Sequence, residues 1–268
     1  MKKIILLFAI VCSFTSCNVT ESIVFDENGS GQFLVTYEMG EAMKAMTAAM
    51  GGEDSDSEKK KGGEVMDTTM VFADIMETYK DSIAALPEEK RLAMEAVKDM
   101  FMNMKMNEDE GVMNMGIGLN FNSIDDLKNI NEKIKKAQSL NSQGDQVGSM
   151  KENSPLGNFF GSDDNKTGYI LTENSFSRVT KIDAPEADEE DAVVELFDET
   201  SESNQEFIEY FENAFYTVKL TFPKTIKSVS VEGAEFSKDR KTVTYKTNWI
   251  EYLKNPKLLD VNVEFVNE

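Results

Sequence analysis

The sequence contains no histidine, and this absence removes the side chain that most often serves as a general base or metal ligand near neutral pH. Without histidine the chain cannot build a Ser-His-Asp or Cys-His catalytic site, or an HExxH zinc site. Cysteine is limited to Cys12 and Cys17, both near the N-terminus. We therefore expect no catalytic residues, no metal and no cofactor. Carboxylate, lysine, tyrosine and hydroxyl chemistry is what remains for an enzyme.

Basic residues are also scarce relative to acidic ones. The chain has 28 Lys and Arg against 49 Asp and Glu, for a formal net charge of −21. Such a charge repels phosphate backbones, so we expect no nucleic-acid partner. We interpret the excess of acidic residues as a contribution to solubility, and a cationic ligand is the alternative. Because 40% of the 268 residues are apolar, a sizeable core can nevertheless form.

Long hydrophobic runs are missing, and the longest lies at the N-terminus. Lys2 and Lys3 precede eight apolar residues at 4–11, followed by a short stretch of small and polar residues. A helix needs about 20 apolar residues to cross a bilayer, so this segment cannot be a permanent anchor. Its layout is that of a secretory signal, for which we predict residues 1–16.

The end of this signal resembles a bacterial lipobox. Phe14-Thr15-Ser16-Cys17 matches the pattern of an apolar residue, two small residues and a cysteine, with Phe14 where leucine is usual. The resemblance implies cleavage between Ser16 and Cys17, diacylglyceryl transfer to the Cys17 sulfur, and further acylation such as palmitate. Cys12 follows the bulky Val11 and is expected to leave with the signal. A plain secretory signal is the alternative.

Lipid attachment predicts where the protein lies. Two or more acyl chains anchor a protein stably to a membrane. Asn18 follows the cysteine, and by resemblance to bacterial sorting rules this favours the outer membrane. We therefore expect a cell-envelope protein held by its N-terminal lipid, with a lipid or an envelope protein as partner.

Several segments show the two-residue period of β-strands. Alternating apolar residues flank a glycine-rich turn at 26–31, and alternation recurs at 111–121, 218–222 and 259–265. Residues 169–172 and 176–182 are expected to form a short hairpin around Glu173 and Asn174. Strands that come in hairpins, without regular βαβ alternation, indicate an α+β fold with mostly antiparallel strands and packed helices.

Other segments show helical spacing. A cap at Asp67 followed by apolar residues at i+4 steps, then Pro87 in the first turn of a helix reaching about Lys105, predict an inserted helical hairpin within residues 40–110. Ser123 and Asp126 form a capping-box pattern before a helical stripe. The stripe after Ser123 consists of Ile124, Leu127, Ile130, Ile134 and Ala137. A separate stripe of aromatic residues at 207, 211 and 215 predicts another short helix. We predict one domain over residues 17–268, with a flexible loop at 141–167.

Two motifs bear on metal binding. "DENGSG" at 26–31 resembles the opening of a calcium loop, but Tyr37 stands where the bidentate glutamate belongs, so a turn is the better interpretation. Residues 100–115 are rich in methionine, a flexible core filler whose thioether is also a soft metal ligand. Met100, Met104, Met113 and Met115 are thus candidates for core packing, for an apolar groove or for a soft-metal site.

Two longer stretches carry a family resemblance. "ESIVFDENGSGQFLVTYEM" after the cysteine, and "FPKTIKSVSVEGAEFSKDRKTVTYKTNWIEYLKNPKLLDVNVEF" near the C-terminus, resemble uncharacterised lipoproteins of Bacteroidota. The order of hairpin, strand-helix unit and terminal strands is more distantly similar to LppM-type lipoproteins, an α+β lipid-associated group. The resemblance implies a membrane-anchored binding or envelope-assembly module, with an apolar lipid or peptide as ligand. The alternatives are a carboxylate-based glycan hydrolase and a structural subunit of an envelope complex.

Overall fold

The fold is α+β, as the sequence predicts. A computed structural model describes residues 18–38, 40, 65–107, 110–141, 166–181 and 212–267. These residues form twelve strands in two sheets, together with five α-helices. The predicted signal, the acidic run at 186–202 and nearly all of the loop predicted at 141–167 lie outside the described residues. No described helix combines the length and apolar character needed to cross a bilayer.

The N-terminal hairpin is confirmed. β1 (Asn18–Phe25) and β2 (Gly31–Glu38) pair antiparallel along their whole length. The intervening "DENGSG" segment is a turn in which the Ser30 hydroxyl donates to Asp26 Oδ2 at 3.0 Å and Asn28 Oδ1 at 2.7 Å. Gly29 takes the positive φ of 83° that the turn requires.

Between residues 65 and 107 the structure departs from the predicted helical hairpin. Helices occupy only α1 (Phe72–Thr78), α2 (Lys80–Ala84) and α3 (Glu88–Ala96), and strands stand on either side of them: β3 (Val65–Val71) and β4 (Met100–Asn107). Asp67 therefore lies inside a strand and caps no helix. Methionine favours helices, but here it recurs at every second residue, which is the period of a strand.

The strand-helix unit after residue 111 is confirmed. β5 (Val112–Phe121) leads into a 3₁₀ turn (Ile124–Leu127) and then α4 (Ile130–Asn141). The Ser123 backbone N–H donates to Asp126 Oδ2 at 3.2 Å, which is one half of the predicted capping box. The predicted stripe faces the core, with Leu127, Ile130, Ile134 and Ala137 buried.

The C-terminal half completes both sheets. Its elements are β6 (Lys166–Leu171), β7 (Ser175–Lys181), β8 (Phe215–Thr221), β9 (Ile226–Val229), β10 (Glu235–Phe236), β11 (Thr242–Asn248), α5 (Trp249–Lys254), a 3₁₀ turn (Pro256–Leu259) and β12 (Val261–Phe265). The helix predicted around Phe207 and Phe211 falls outside the described residues, and Phe215 begins a strand.

The two sheets enclose the core. The large sheet has the order β10-β11-β8-β1-β2-β5-β4-β3, and only the β1–β8 pair is parallel. The small sheet has the order β6-β7-β12-β9. Aromatic rings join them: Phe25 of β1 lies 5.5 Å from Phe176 of β7, centroid to centroid, and Phe222 lies 4.9 Å from Phe265 of β12. β1 is thus a central strand whose inner side chains point toward the small sheet.

Candidate functional site

A buried charge cluster lies between the two sheets. Glu21 occupies an inward position of β1, and Arg178 occupies an inward position of β7; their exposed fractions are 3% and 1%. Arg178 Nε donates to Glu21 Oε1 at 3.0 Å, and Nη2 donates to Oε2 at 3.1 Å. The guanidinium and the carboxylate therefore meet in the bidentate geometry that gives the strongest pairs.

Two tyrosines complete the surroundings of Glu21. The hydroxyl of Tyr169 donates to Oε1 at 3.0 Å, and that of Tyr216 donates to Oε2 at 3.1 Å. An ionised carboxylate has about four acceptor positions, and these four donors fill them. Glu21 therefore has no lone pair left to accept a proton from a substrate.

Arg178 is bound on its other side as well. Its Nη1 donates to Thr180 Oγ1 at 3.4 Å and lies 3.8 Å from Asp260 Oδ1. The same Asp260 oxygen accepts the backbone N–H of Thr180 at 2.7 Å. Two carboxylates thus flank a single guanidinium, which holds β7 against both the large sheet and the start of β12.

The cluster perturbs the ionisation of its members. Burial raises the pKa of Tyr169 and of Tyr216 well above the usual value, and the negative charge of Glu21 raises both further. Burial by itself lowers the pKa of Arg178. The negative charge of Glu21 outweighs this effect and holds the Arg178 pKa well above its ordinary value. Both tyrosines therefore stay neutral donors, and Arg178 stays charged.

A small cavity of about 70 Å³ adjoins the cluster. Its walls include Glu21 and Arg178, Ile134 of α4, and a group of three aromatic residues. In this group Tyr216 stacks on Trp249 at 5.5 Å between centroids and lies 4.7 Å from Tyr252. Sites for drug-sized ligands typically measure about 300–1,000 Å³, whereas this volume suits about two water molecules.

A second depression, of about 400 Å³, lies beside the β1–β2 turn. Its polar side chains bond to one another: Gln32 Nε2 donates to Asn120 Oδ1 at 2.9 Å, and Ser30 donates to Asp26. Neither cavity is lined by the methionines that the sequence singles out.

The candidate residues from the sequence are dispersed. Ser16 and Cys17, the two positions before β1, lie outside the described residues. Met100 is fully buried in the core. Met104 of β4 stands opposite Met115 of β5, and Met113 stands opposite Met106, all half-buried. The structure thus brings three of the four candidate methionines to one region and leaves Met100 in the packed interior.

The cluster around Glu21 was not predicted from the sequence. A signal was present: Glu21 stands in phase with Val19, Ile23 and Phe25, the buried residues of β1. A charged residue at a strand position that faces the core needs a buried partner. The partner itself could not be identified, because Arg178 is 157 positions away.

Comparisons with known proteins add little. No protein-family model matches the chain, and no curated protein matches it. Among solved structures, the folded domain of LppM from Mycobacterium tuberculosis is similar with a TM-score of 0.35 and 8% sequence identity, over 96% of this chain and 95% of that chain. This is a weak fold resemblance to the group that the strand order resembles, and it assigns no activity or ligand.

Proposed function

We propose that the chain is a lipid-anchored module of the cell envelope that binds a partner or supports assembly there. The observation that carries this proposal is the position of β1. The strand begins at Asn18, immediately after the lipobox cysteine, and it is a central strand of the large sheet. A lipid on Cys17 would therefore be joined to the folded domain without a linker.

The start of β1 is held on both sides. Asn18 pairs with Glu38 of β2, and its side-chain Nδ2 donates to Glu38 Oε2 at 3.2 Å. On the other side, the backbone N–H of Phe215 in β8 donates to Asn18 Oδ1 at 3.1 Å. A lipid anchor on Cys17 would thus be joined directly to β1, which is hydrogen-bonded to β2 on one side and to β8 on the other.

This geometry defines an anchor end of the molecule. It is the end of the large sheet at which β1 begins. Glu38 and Phe215 flank Asn18 there, and Asn114 and Asn248 lie on the next strands out. In the lipidated protein this end would lie against the membrane surface, and the opposite end, with the β1–β2 turn, would face away. A partner would then approach from that turn or from the flanks of the sheets.

The cavity volumes bear on the kind of ligand. The cavity beside Glu21, at about 70 Å³, is smaller than typical sites for drug-sized ligands, and the depression beside the β1–β2 turn is lined mainly by polar residues. We therefore propose binding at the surface, by a lipid at the membrane or by an envelope protein. The hydrolase alternative requires two open carboxylates about 5–10 Å apart. Glu21, the buried carboxylate of the described residues, is fully bonded and does not favour that alternative.

The anchoring part is tested by fractionation of the host cells. Cys17→Ser should move the protein from the membrane to the aqueous fraction, whereas the matched variant Cys12→Ser should leave it at the membrane. Sucrose-gradient separation of inner and outer membranes then tests the outer-membrane assignment. Membrane retention of the Cys17→Ser protein would contradict the proposal.

The partner is tested by capture through a C-terminal tag from detergent-solubilised cells. Crosslinking before lysis, followed by mass spectrometry of proteins and lipids together, should recover a partner with wild-type protein and less of it with Cys17→Ser. A structural subunit would give the same neighbours in fixed ratios. Recovery of the chain alone, without lipid or protein, would argue against a binding or assembly role.

A further inference from the structure

Five methionines form a patch on one face of three adjacent strands. Met66 of β3 stands opposite Met106 of β4, which stands opposite Met113 of β5, and in the next row Met104 stands opposite Met115. Directly opposed side chains of an antiparallel pair project from the same face with Cβ atoms about 4.5–5.5 Å apart. The five methionine side chains therefore project from the same face of the sheet; we call these residues the methionine patch.

Core packing does not account for the patch. On the same face of β4, Met100 and Met102 have exposed fractions of 0% and 6% and belong to the core. All five patch residues are instead half-buried, and of these only Met115 packs against the core. Methionine as a core filler explains the two buried residues. It also accounts for Met115, but it gives the half-buried Met66, Met104, Met106 and Met113 no role in the core.

The thioethers of the patch suit only a few kinds of metal ion. Thioethers are neutral, soft donors, and soft donors select Cu(I) over calcium or magnesium. The described residues hold no group of three or more His, Cys, Asp or Glu that could bind a harder ion. We propose that the methionine patch binds one Cu(I) ion, or the equivalent Ag(I), through three thioethers.

The surroundings suit a monovalent cation. By the alternation of a strand, Lys105 projects from the opposite face, where it pairs in register with Asp67 and Asn114. In the connection from β4 to β5 the described Glu110 adds a negative charge, which favours a positive ion. Methionine has three rotatable bonds, so three sulfurs of neighbouring strands can converge on one ion.

The test uses the mature chain with Cys17→Ser, so that no thiol competes. Ag(I) is titrated by calorimetry and native mass spectrometry, and Cu(I) by anaerobic competition with bathocuproine disulfonate. We expect one ion per chain, with an affinity that does not change between about pH 5 and 8, because thioethers carry no proton to lose and histidine is absent.

The decisive variant is Met104→Leu/Met106→Leu/Met113→Leu/Met115→Leu. Leucine for methionine nearly conserves volume and apolar character, so the fold is retained and only the sulfur is removed. Binding should be lost, with an unchanged circular dichroism spectrum. The matched control, Met76→Leu/Met94→Leu, replaces two half-buried methionines of α1 and α3 and should bind like the parent. No binding by the parent, or equal binding by the fourfold variant, would overturn the proposal and leave the patch as an apolar surface.

Discussion

Glu21 of β1 and Arg178 of β7 form a bidentate ion pair in the interior between the two sheets, with N–O distances of 3.0 and 3.1 Å. The pair crosses from the large sheet to the small one and is sealed by the hydroxyls of Tyr169 and Tyr216. The pair fixes the position of the two sheets relative to each other, because a shift of either strand would leave a buried charge without its partner.

Breaking this pair should be costly. Glu21→Gln leaves Arg178 charged and buried, and we expect a loss of about 3–5 kcal/mol in the free energy of unfolding. The double variant Glu21→Leu/Arg178→Met removes both charges and should lose less than the single one. Urea unfolding measures both.

The matched control is the surface pair of Lys227 and Glu264, whose side chains are 65% and 48% exposed. Lys227→Met should change the free energy of unfolding by no more than about 1 kcal/mol. A Glu21→Gln variant as stable as the wild type would show that the buried pair does not hold the sheets together.

High pH should destabilise the protein through its buried tyrosines. Burial raises the pKa of Tyr169, Tyr216 and Tyr245, whereas an unfolded tyrosine ionises near pH 10. A raised folded-state pKa gives stability that is complete below the unfolded value and is lost as the pH rises above it. Each such group should lower the free energy of unfolding by about 1.4 kcal/mol per pH unit above ~10.

Tyr245→Phe separates this effect from general alkaline damage. The variant loses the hydrogen bond from the Tyr245 hydroxyl to the Leu259 carbonyl oxygen, 2.9 Å long, and so starts from a lower stability. Above pH ~10 the free energy of unfolding of the variant should nevertheless fall less steeply than that of the parent. The difference in slope should be the contribution of one tyrosine, about 1.4 kcal/mol per pH unit. Chemical denaturation at several pH values measures the slope, and an identical slope in variant and parent would refute the explanation.

The close approach of β2 and β5 at Gly118 gives a third prediction. A Cβ at this position would lie 2.2 Å from the Phe33 carbonyl oxygen and 3.0 Å from the Phe101 ring. Gly118→Ala should therefore destabilise the protein by about 1–3 kcal/mol through overpacking. Gly168→Ala is the control, since its nearest neighbour would be 3.7 Å away. Equal melting temperatures for the two variants would be incompatible with this geometry.

The sequence predicted best what is determined locally. The β1–β2 hairpin follows from alternation around a glycine turn, and the helix after β5 follows from the Ser123–Asp126 cap and a buried stripe. These signals depend on residues only a few positions apart, so they can be interpreted without knowing which distant strands pair.

The sequence predicted least where long-range pairing decides. Met100–Asn107 pairs with both β3 and β5, and this pairing overrides the helix preference of methionine. The partner of Glu21 comes from a strand in the second half of the chain. Of the candidate site, Met104, Met113 and Met115 are neighbours on one face, but Met66 and Met106 complete the patch only through strand register.

The proposed lipid on Cys17, immediately before β1, can be tested at the mature N-terminus. Protein purified from its host in detergent is digested, and the N-terminal peptide is identified by mass spectrometry. We predict a peptide that begins at Cys17 and carries a diacylglyceryl group, with or without a further acyl chain. A mature peptide that begins at any other residue, or an unmodified Cys17, would contradict this proposal.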